Sequence, residues 1–238
     1  MANGIYIGMS GAIAAQRRLD VVANNVANAS TPGFRQHRAE FQSFLVGTGE
    51  TQRPIEKGFV ALSGTRVDDS PGVISQTGNP LDVAIDGSGW FVVEAPAGQL
   101  LTRAGNFRMA ADGTVVDQMG NAIASDTGAP IRLRPEGGPP SVGSDGTISQ
   151  DGTTIARLSI VNVPTERLEA VGDTHMRAAP ADMQRATNAS VQGGALEGSN
   201  VNPVRGLVEL VQLTQEFQTN QKVMGEYRRL DQKLLSSH

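Results

Sequence analysis

Few residues in this chain have the types and spacing needed for catalysis. The stretch GMSGA around Ser10 is close in spelling to the nucleophile elbow of hydrolases. That elbow needs a strand before its serine, whereas the residues before Ser10 are predicted as helix. The stretch DGSG at 86–89 contains one Gly-x-Gly pair but lacks the third glycine and the following helix of a dinucleotide-binding loop. Both stretches are therefore predicted to be structural.

The titratable residues do not form a catalytic set either. His37, His175 and His238 are far apart and lack the i, i+4 spacing of a helical metal pair, so we predict solvated side chains. Asp82 and Asp86 would lie about 13 Å apart on one face of a strand, too far for a glycosidase pair. The absence of cysteine excludes thiol catalysis, disulfides and cysteine-bound zinc. The sequence predicts a protein that is not an enzyme and holds no cofactor or metal.

The composition limits which fold classes and which partners can be expected. The 28 glycines, 12 prolines and 4% aromatic residues are typical of a turn-rich β region with a small aliphatic core. The net charge is -4 and the arginines are interleaved with carboxylates, so nucleic acid is not a predicted partner. Because no catalytic set is found, no small-molecule substrate is predicted either. No apolar run is long enough for a membrane-spanning helix. The polar, glycine-broken N-terminal stretch predicts no cleavable signal peptide.

The first 30 residues are predicted as a helix with one apolar seam. The seam residues recur at intervals of three and four, with Gln16 at one polar position: Ile5, Met9, Ala12, Leu19, Ala23 and Val26. The stretch TPG at 31–33 should end the helix near Ala29 or Ser30, because the residue before a proline is pushed out of the helical region.

Three asparagines lie near the end of this helix, although asparagine is a poor helix former. We therefore predict that Asn24, Asn25 and Asn28 form hydrogen bonds to a second helix.

The C-terminal residues are predicted to form that second helix. Asn202 and Pro203 have the types expected at the N-cap and the first helical position. The seam again has intervals of three, four and seven, with Asn220 and Asp231 as polar interruptions: Leu210, Leu213, Phe217, Met224, Tyr227 and Leu234. Leu207, Val211 and Leu230 widen the apolar face beyond one partner helix, which predicts self-assembly.

We expect the two helices to pair antiparallel. This arrangement would place Ile5 near Leu234 and Val26 near Leu213. The predicted fold is therefore α+β, with N- and C-terminal helices paired as a coiled-coil-like domain and a central antiparallel all-β domain.

Four regions divide the chain. Residues 1–30 form the first helix, 31–70 an extended arm with a possible hairpin, 71–194 the β domain, and 195–238 a linker and the second helix. Asp-Gly pairs at Asp86, Asp112, Asp145 and Asp151 predict hairpin turns. The stretch VQGGALEGS at 191–199 is predicted to be a linker.

Four blocks together resemble the bacterial flagellar rod and hook family. They are ANNVANASTPGF, GNPLDVAIDGSGWFVV, LTRAGNFRMAADGTVV and LEGSNVNPVRGLVELVQLTQEFQTNQKVM. The residues that carry the family motif are Asn24, Asn25, Asn28, Thr31, Pro32, Gly33 and Phe34. Chain length and the spelling STPGFR at 30–35 are most similar to proximal-rod members, with the distal-rod paralogue as the alternative.

The resemblance implies a structural subunit of the basal-body rod that transmits torque from motor to hook. Its terminal helices would pack inside a hollow helical shaft that crosses the periplasm, with the β domain outside. Its partners would be other copies, neighbouring rod proteins and the flagellar type III export apparatus, which would export the chain uncleaved. Two alternatives of other classes are a secreted β-domain hydrolase of the cell wall and a coiled-coil-tethered binding module.

Overall fold

The computed structural model describes the backbone of residues 2–47, 56–186 and 189–236. Side chains are described for residues 9–42, 64–186, 189–226, 229 and 232. The chain divides into two compact units. Unit 1 contains Met1–Ala27, His37–Arg66 and Asn202–His238, and unit 2 contains Asn28–Gln36 and Val67–Val201. The architecture is α+β, as predicted.

The described residues of unit 1 form two helices and a two-stranded sheet. Helix α1 spans Ala2–Ala27, strands β1 and β2 span His37–Gly47 and Glu56–Val67 and pair with each other, and helix α2 spans Pro203–Ser236. The predicted cap of α2 is confirmed, because Asn202 Oδ1 accepts a hydrogen bond from the backbone N–H of Arg205 at 3.1 Å. This bond satisfies one of the amides that a helix start leaves unpaired.

Helices α1 and α2 pack antiparallel. Gly11 of α1 faces Asn220, and Val26 faces Gly206 near the start of α2. The predicted proximity of Val26 to Leu213 is therefore wrong by seven residues, or about two helical turns. At each of these two glycines a small residue faces a larger one. The spacing of the apolar residues alone does not show this complementarity. Ile5 and Leu234 lie outside the described side chains.

The described residues of unit 2 form sixteen further strands. They are β3 (Ile74–Gln76), β4 (Val83–Asp86), β5 (Trp90–Ala95), β6 (Gly98–Thr102), β7 (Arg108–Met109), β8 (Val115–Val116), β9 (Ala122–Ile123), β10 (Ser141–Val142), β11 (Thr147–Gln150), β12 (Thr153–Arg157), β13 (Ile160–Asn162), β14 (Glu169–Ala170), β15 (His175–Arg177), β16 (Gln184–Arg185), β17 (Ser190–Gly193) and β18 (Ala195–Glu197). The described pairings among them are antiparallel.

Strand β5 lies at the centre of the largest sheet and is buried on both faces. It pairs with β6 along one edge and with β9 and β13 along the other. Side chains alternate along a strand, so Phe91 and Val93 enter one hydrophobic core while Trp90 and Val92 enter a second. Burial on both faces explains why the stretch WFVV is apolar without alternation.

Three of the four predicted Asp-Gly hairpins are confirmed. Asp112, Asp145 and Asp151 lie in the turns of the β7–β8, β10–β11 and β11–β12 hairpins. At 151–152 both residues have positive φ, 52° and 74°, as a tight hairpin turn requires. The prediction at Asp86 is wrong, because β4 pairs with β17 whereas β5 belongs to the large sheet.

Side chains reinforce two of these turns. Asp112 accepts hydrogen bonds from the backbone N–H and the hydroxyl of Thr114, and Asp145 accepts the same pair from Thr147. Such bonds favour the ionised carboxylate and therefore lower the pKa of both aspartates.

The predicted linker at 191–199 is also wrong. Within this stretch β17 pairs with β4 and β18 pairs with β3, so it closes two small sheets of unit 2. Its glycines permit a tight turn between the two strands, since Gly194 has φ +71°. The glycine-rich composition therefore marks a turn rather than a linker.

Candidate functional site

No metal-binding group of residues is present in the part of the chain that the structure describes. Among the side chains described for residues 9–42, 64–186, 189–226, 229 and 232, no three histidines or carboxylates are placed to hold a metal ion. Neither described helix is long and apolar enough to cross a bilayer.

His175 is buried rather than solvated, contrary to the sequence prediction. Its side chain is 4% exposed, and Nε2 lies 2.8 Å from Asp117 Oδ2. Burial raises the pKa of Asp117, but hydrogen bonds from His175 and Asn121 outweigh it and the net shift is downward. Asp117 also accepts the backbone N–H groups of Met119 and Asn121, so the pair anchors a tight turn to β15. Of the other histidines, His37 is half-buried and His238 lies outside the described residues.

The predicted helix seams face each other only in part. On α1, Ala12 is buried and Leu19, Ala23 and Val26 are half-buried, whereas Met9 is 44% exposed and Gln16 is exposed. Ala15 and Val22 are buried on the same face although the seam prediction omitted them.

On α2, Leu213 is 2% exposed, and the half-buried predicted residues are Leu210, Phe217, Asn220 and Met224. The predicted seam residues Ile5, Tyr227 and Leu234 lie outside the described side chains.

A second apolar surface lies on the other side of α2. Four residues, which we call the outer stripe, are between 53% and 71% exposed: Val204, Leu207, Val208 and Val211. At about 100° per residue they cluster roughly 160° around the helix from the face that carries Leu213. A surface helix normally has one apolar stripe, so α2 has more apolar surface than its contact with α1 covers.

Charged residues border this helix pair. Arg18 of α1 lies 3.8 Å from Glu209 and 3.9 Å from Glu216 of α2, and all three side chains are well exposed. Exposed pairs at such distances contribute little free energy. The apolar contacts therefore provide most of the stabilisation of the pair.

Asn25 has a role different from the predicted bond to a second helix. Its side-chain amide accepts the backbone N–H of His37 and donates to the backbone carbonyl of His37, both at 2.8 Å. It therefore pairs with the first residue of β1 as a neighbouring strand would. Asn28 accepts a hydrogen bond from the Thr31 hydroxyl at 3.1 Å, in the turn after α1.

The other motif residues are packed within unit 2. Phe34 is fully buried, while Thr31 and Pro32 are half-buried. Gly33 has φ +68°, and its N–H donates to the Glu197 carbonyl at 2.8 Å. A Cβ at Gly33 would overlap backbone atoms of Arg103 and Ala104, so only glycine fits at this position.

Next to the motif lies a buried cluster of three charges, which we call the arginine–glutamate cluster. Arg35 Nη2 lies 2.9 Å from Glu197 Oε1, and Arg103 Nη1 lies 3.2 Å from Glu197 Oε2. All three side chains are at most 2% exposed. Arg35 also donates to the Ser70 carbonyl at 2.6 Å.

One carboxylate therefore neutralises two guanidinium groups. Burial lowers the pKa of Arg103 below its usual value and outweighs the opposing attraction of Glu197. The face of Trp90 lies 5.6 Å from the Arg103 guanidinium carbon, which offers further cation–π attraction.

Sequence reasoning missed this cluster. Arg35 directly follows the motif and Glu197 lies in a recognised block, but 162 positions separate them in sequence. A charge pattern reveals a pair only when local periodicity brings its members together. No such periodicity connects Arg35, Arg103 and Glu197.

A helix pair that leaves apolar surface exposed is typical of a subunit that associates with other chains. Family models match three stretches of the chain: flagella basal body rod protein at residues 5–35, flagellar hook protein FlgE/F/G D1 domain at 84–154, and flagellar basal body rod FlgEFG protein C-terminal at 192–237.

Two similar relatives are flagellar basal-body rod proteins FlgF. The one from Mesorhizobium japonicum is 34% identical over 95% of this chain and 93% of its own length. The one from Caulobacter vibrioides is 34% identical over 94% and 93%. The rod protein FlgG of Bacillus subtilis is 30% identical over 99% of both chains.

The chain belongs to the flagellar basal-body rod protein family. It is a structural subunit of the rod and not an enzyme, and its similarity is to FlgF, with FlgG as a related alternative. The predicted family resemblance is confirmed.

Proposed function

We propose that this chain is a subunit of the proximal rod and assembles through its terminal helices into a hollow helical shaft that crosses the periplasm and transmits torque. Its partners are other copies and neighbouring rod proteins. The paired helices form the rod core in a coiled-coil-like arrangement, the β domain, which includes β17 and β18 up to Glu197, faces outward, and 31–70 connects them. Export uses the flagellar type III route without a cleavable signal.

The observation that carries the proposal is the outer stripe. Helix α1 covers Leu213 and its neighbours on one face of α2. The outer stripe is exposed to solvent instead. Burial of apolar surface contributes about 25 cal/mol per Å², so an uncovered stripe favours association. Contacts between unlike surfaces of successive copies produce an open helical array when the rotation from copy to copy does not close into a ring.

The predicted assembly seam is therefore kept as a proposal with two functions. Residues that face the partner helix, such as Leu213, Phe217 and Leu19, stabilise the subunit itself. Met9 and Ile13 of α1, 44% and 55% exposed, are available to other copies in the same way as the outer stripe. Ile5, Tyr227 and Leu234 stay predicted members of the seam.

Two leucines on different faces of α2, one exposed and one buried, test the proposal. Leu207→Asp should leave the thermal unfolding of the purified chain almost unchanged, because Leu207 is exposed, but should block rod completion and swimming. Leu213→Ala is the comparison, because loss of a buried leucine costs about 2–5 kcal/mol in the chain itself. If cells with Leu207→Asp build complete rods and swim normally, the outer stripe is not the assembly surface.

A further inference from the structure

The chain passes between units 1 and 2 at four points. These are the bonds after residues 27, 36, 66 and 201. On the unit 2 side, they lead into three segments, 28–36, 67–72 and 197–201. Every covalent connection between the units therefore passes through one of these segments.

The three segments are bound to one another inside unit 2 by a set of contacts that we call the junction network. The N–H of Gln36 donates to Asn200 Oδ1 at 2.7 Å, and the N–H of Asp68 donates to the Gln36 carbonyl at 2.8 Å. Asn200 Nδ2 donates to the carbonyls of Asp68 and Ser70 at 3.0 and 2.9 Å. One amide side chain thus contacts both of the other segments.

Glu197 is the second centre of the junction network. Its carbonyl accepts the N–H of Gly33, and its Oε1 accepts the N–H of Gly72 at 2.9 Å. Its carboxylate also pairs with Arg35, whose Nη1 reaches the Ser70 carbonyl. Glu197 and Asn200 are three residues apart, so a single short segment holds the other two.

We propose that Glu197 and Asn200 act together as a clamp that joins the three segments, so that the four connections form one cooperative anchor within unit 2. The inference goes beyond the proposed function and does not depend on it, because rods could assemble whether or not the anchor is cooperative. Two features support cooperativity. The segments are far apart in sequence, and the buried guanidinium groups of Arg35 and Arg103 share the single carboxylate of Glu197, which makes its removal costly.

The test uses amide hydrogen exchange of the full chain, measured at single residues by NMR. Glu197→Gln removes the carboxylate, which contacts Gly72, Arg35 and Arg103 but not the amides of Gln36 or Asp68. A cooperative clamp predicts exchange at least about tenfold faster at Gln36 and Asp68 as well as at Gly72. The amide of Ile131, bonded to the Ile123 carbonyl in the β core, should keep its protection. Glu169→Gln, on an exposed strand, is the matched control and should change none of these amides.

Two results would overturn the proposal. If Glu197→Gln accelerates Gly72 alone, the contacts of the junction network are independent of one another. If it accelerates Ile131 as much as Gln36, the substitution weakens unit 2 as a whole.

A second variant gives the reciprocal test and applies also where Glu197→Gln fails to fold. Asn200→Ala removes the bonds to Gln36, Asp68 and Ser70 but touches neither the Gly33 nor the Gly72 amide. Faster exchange at Gly33 and Gly72 supports the clamp, and unchanged exchange there refutes it.

Discussion

Replacing Gly33 by alanine tests how tightly the family motif is packed in unit 2. An L-residue at φ +68° costs about 1–2 kcal/mol, because its Cβ approaches its own carbonyl oxygen. The new methyl group would also overlap backbone atoms of Arg103 and Ala104, and forced overpacking costs about 1–3 kcal/mol more. Gly128→Ala is the matched control, since Gly128 has φ +81° but no atom within 4 Å of the added Cβ. Both variants therefore incur the cost of a positive φ, but only Gly33→Ala incurs the cost of overlap with backbone atoms.

Urea unfolding followed by tryptophan fluorescence measures the difference. Trp90 is the only tryptophan and is 1% exposed in unit 2, so its emission reports the unfolding of that unit. Gly33→Ala should lower the free energy of unfolding by about 1–3 kcal/mol more than Gly128→Ala. Trypsin gives a second readout, because Arg35 is buried and cleavage after it requires the motif segment to open. The described packing would be refuted if the two variants lost the same free energy of unfolding and if trypsin failed to cleave after Arg35 in both.

Three further substitutions test other contacts. Asn25→Ala should speed amide exchange of His37 by an amount equivalent to about 1–3 kcal/mol, because both backbone groups of His37 lose a partner; unchanged exchange would contradict the pairing. Asp117→Asn tests the pH dependence of stability. The pKa of Asp117 is lowered in the folded state. The ionised carboxylate therefore stabilises the fold above the unfolded-state pKa of about 3.9, and this stabilisation is lost as the pH falls through the folded-state pKa. Urea midpoints read from Trp90 between pH 6 and pH 3 should therefore fall more steeply in the wild type than in Asp117→Asn, and parallel curves would refute the assignment. Arg18→Gln should change the thermal stability by less than about 0.5 kcal/mol at any salt concentration, because its ion pairs are long and exposed; a large, salt-sensitive loss would show that these pairs matter.

Much of the architecture could be predicted because its causes are local. The cap at Asn202, the α+β class and three of the four Asp-Gly hairpins depend on the conformational preferences of neighbouring residues. The Asp86 turn was mispredicted because the same signal occurs where two strands separate into different sheets. The stretch at 191–199 was mispredicted because its strand partners, β3 and β4, are more than a hundred residues away.

The helix seams also could be predicted only in part, because local spacing does not fix contacts between distant segments. Intervals of three and four indicated that Leu213, Phe217 and Ala12 face a partner, but not how far one helix is shifted along the other. A shift of two turns restores nearly the same apolar face, so spacing alone does not distinguish such registers. The contacts of Gly11 with Asn220 and of Val26 with Gly206 depend on the volumes of facing side chains.

The family, the structural rather than catalytic class and the two terminal helices could all be predicted from the sequence. These depend on residue type, short spacing and recognisable blocks. The folded chain was needed to reveal the burial of His175 against Asp117, the pairing of Asn25 with β1, and the convergence of Arg35, Arg103 and Glu197. The physical reason is that each of these contacts joins groups that local spacing does not bring together, and the stabilisation that holds them comes from burial after the chain has folded.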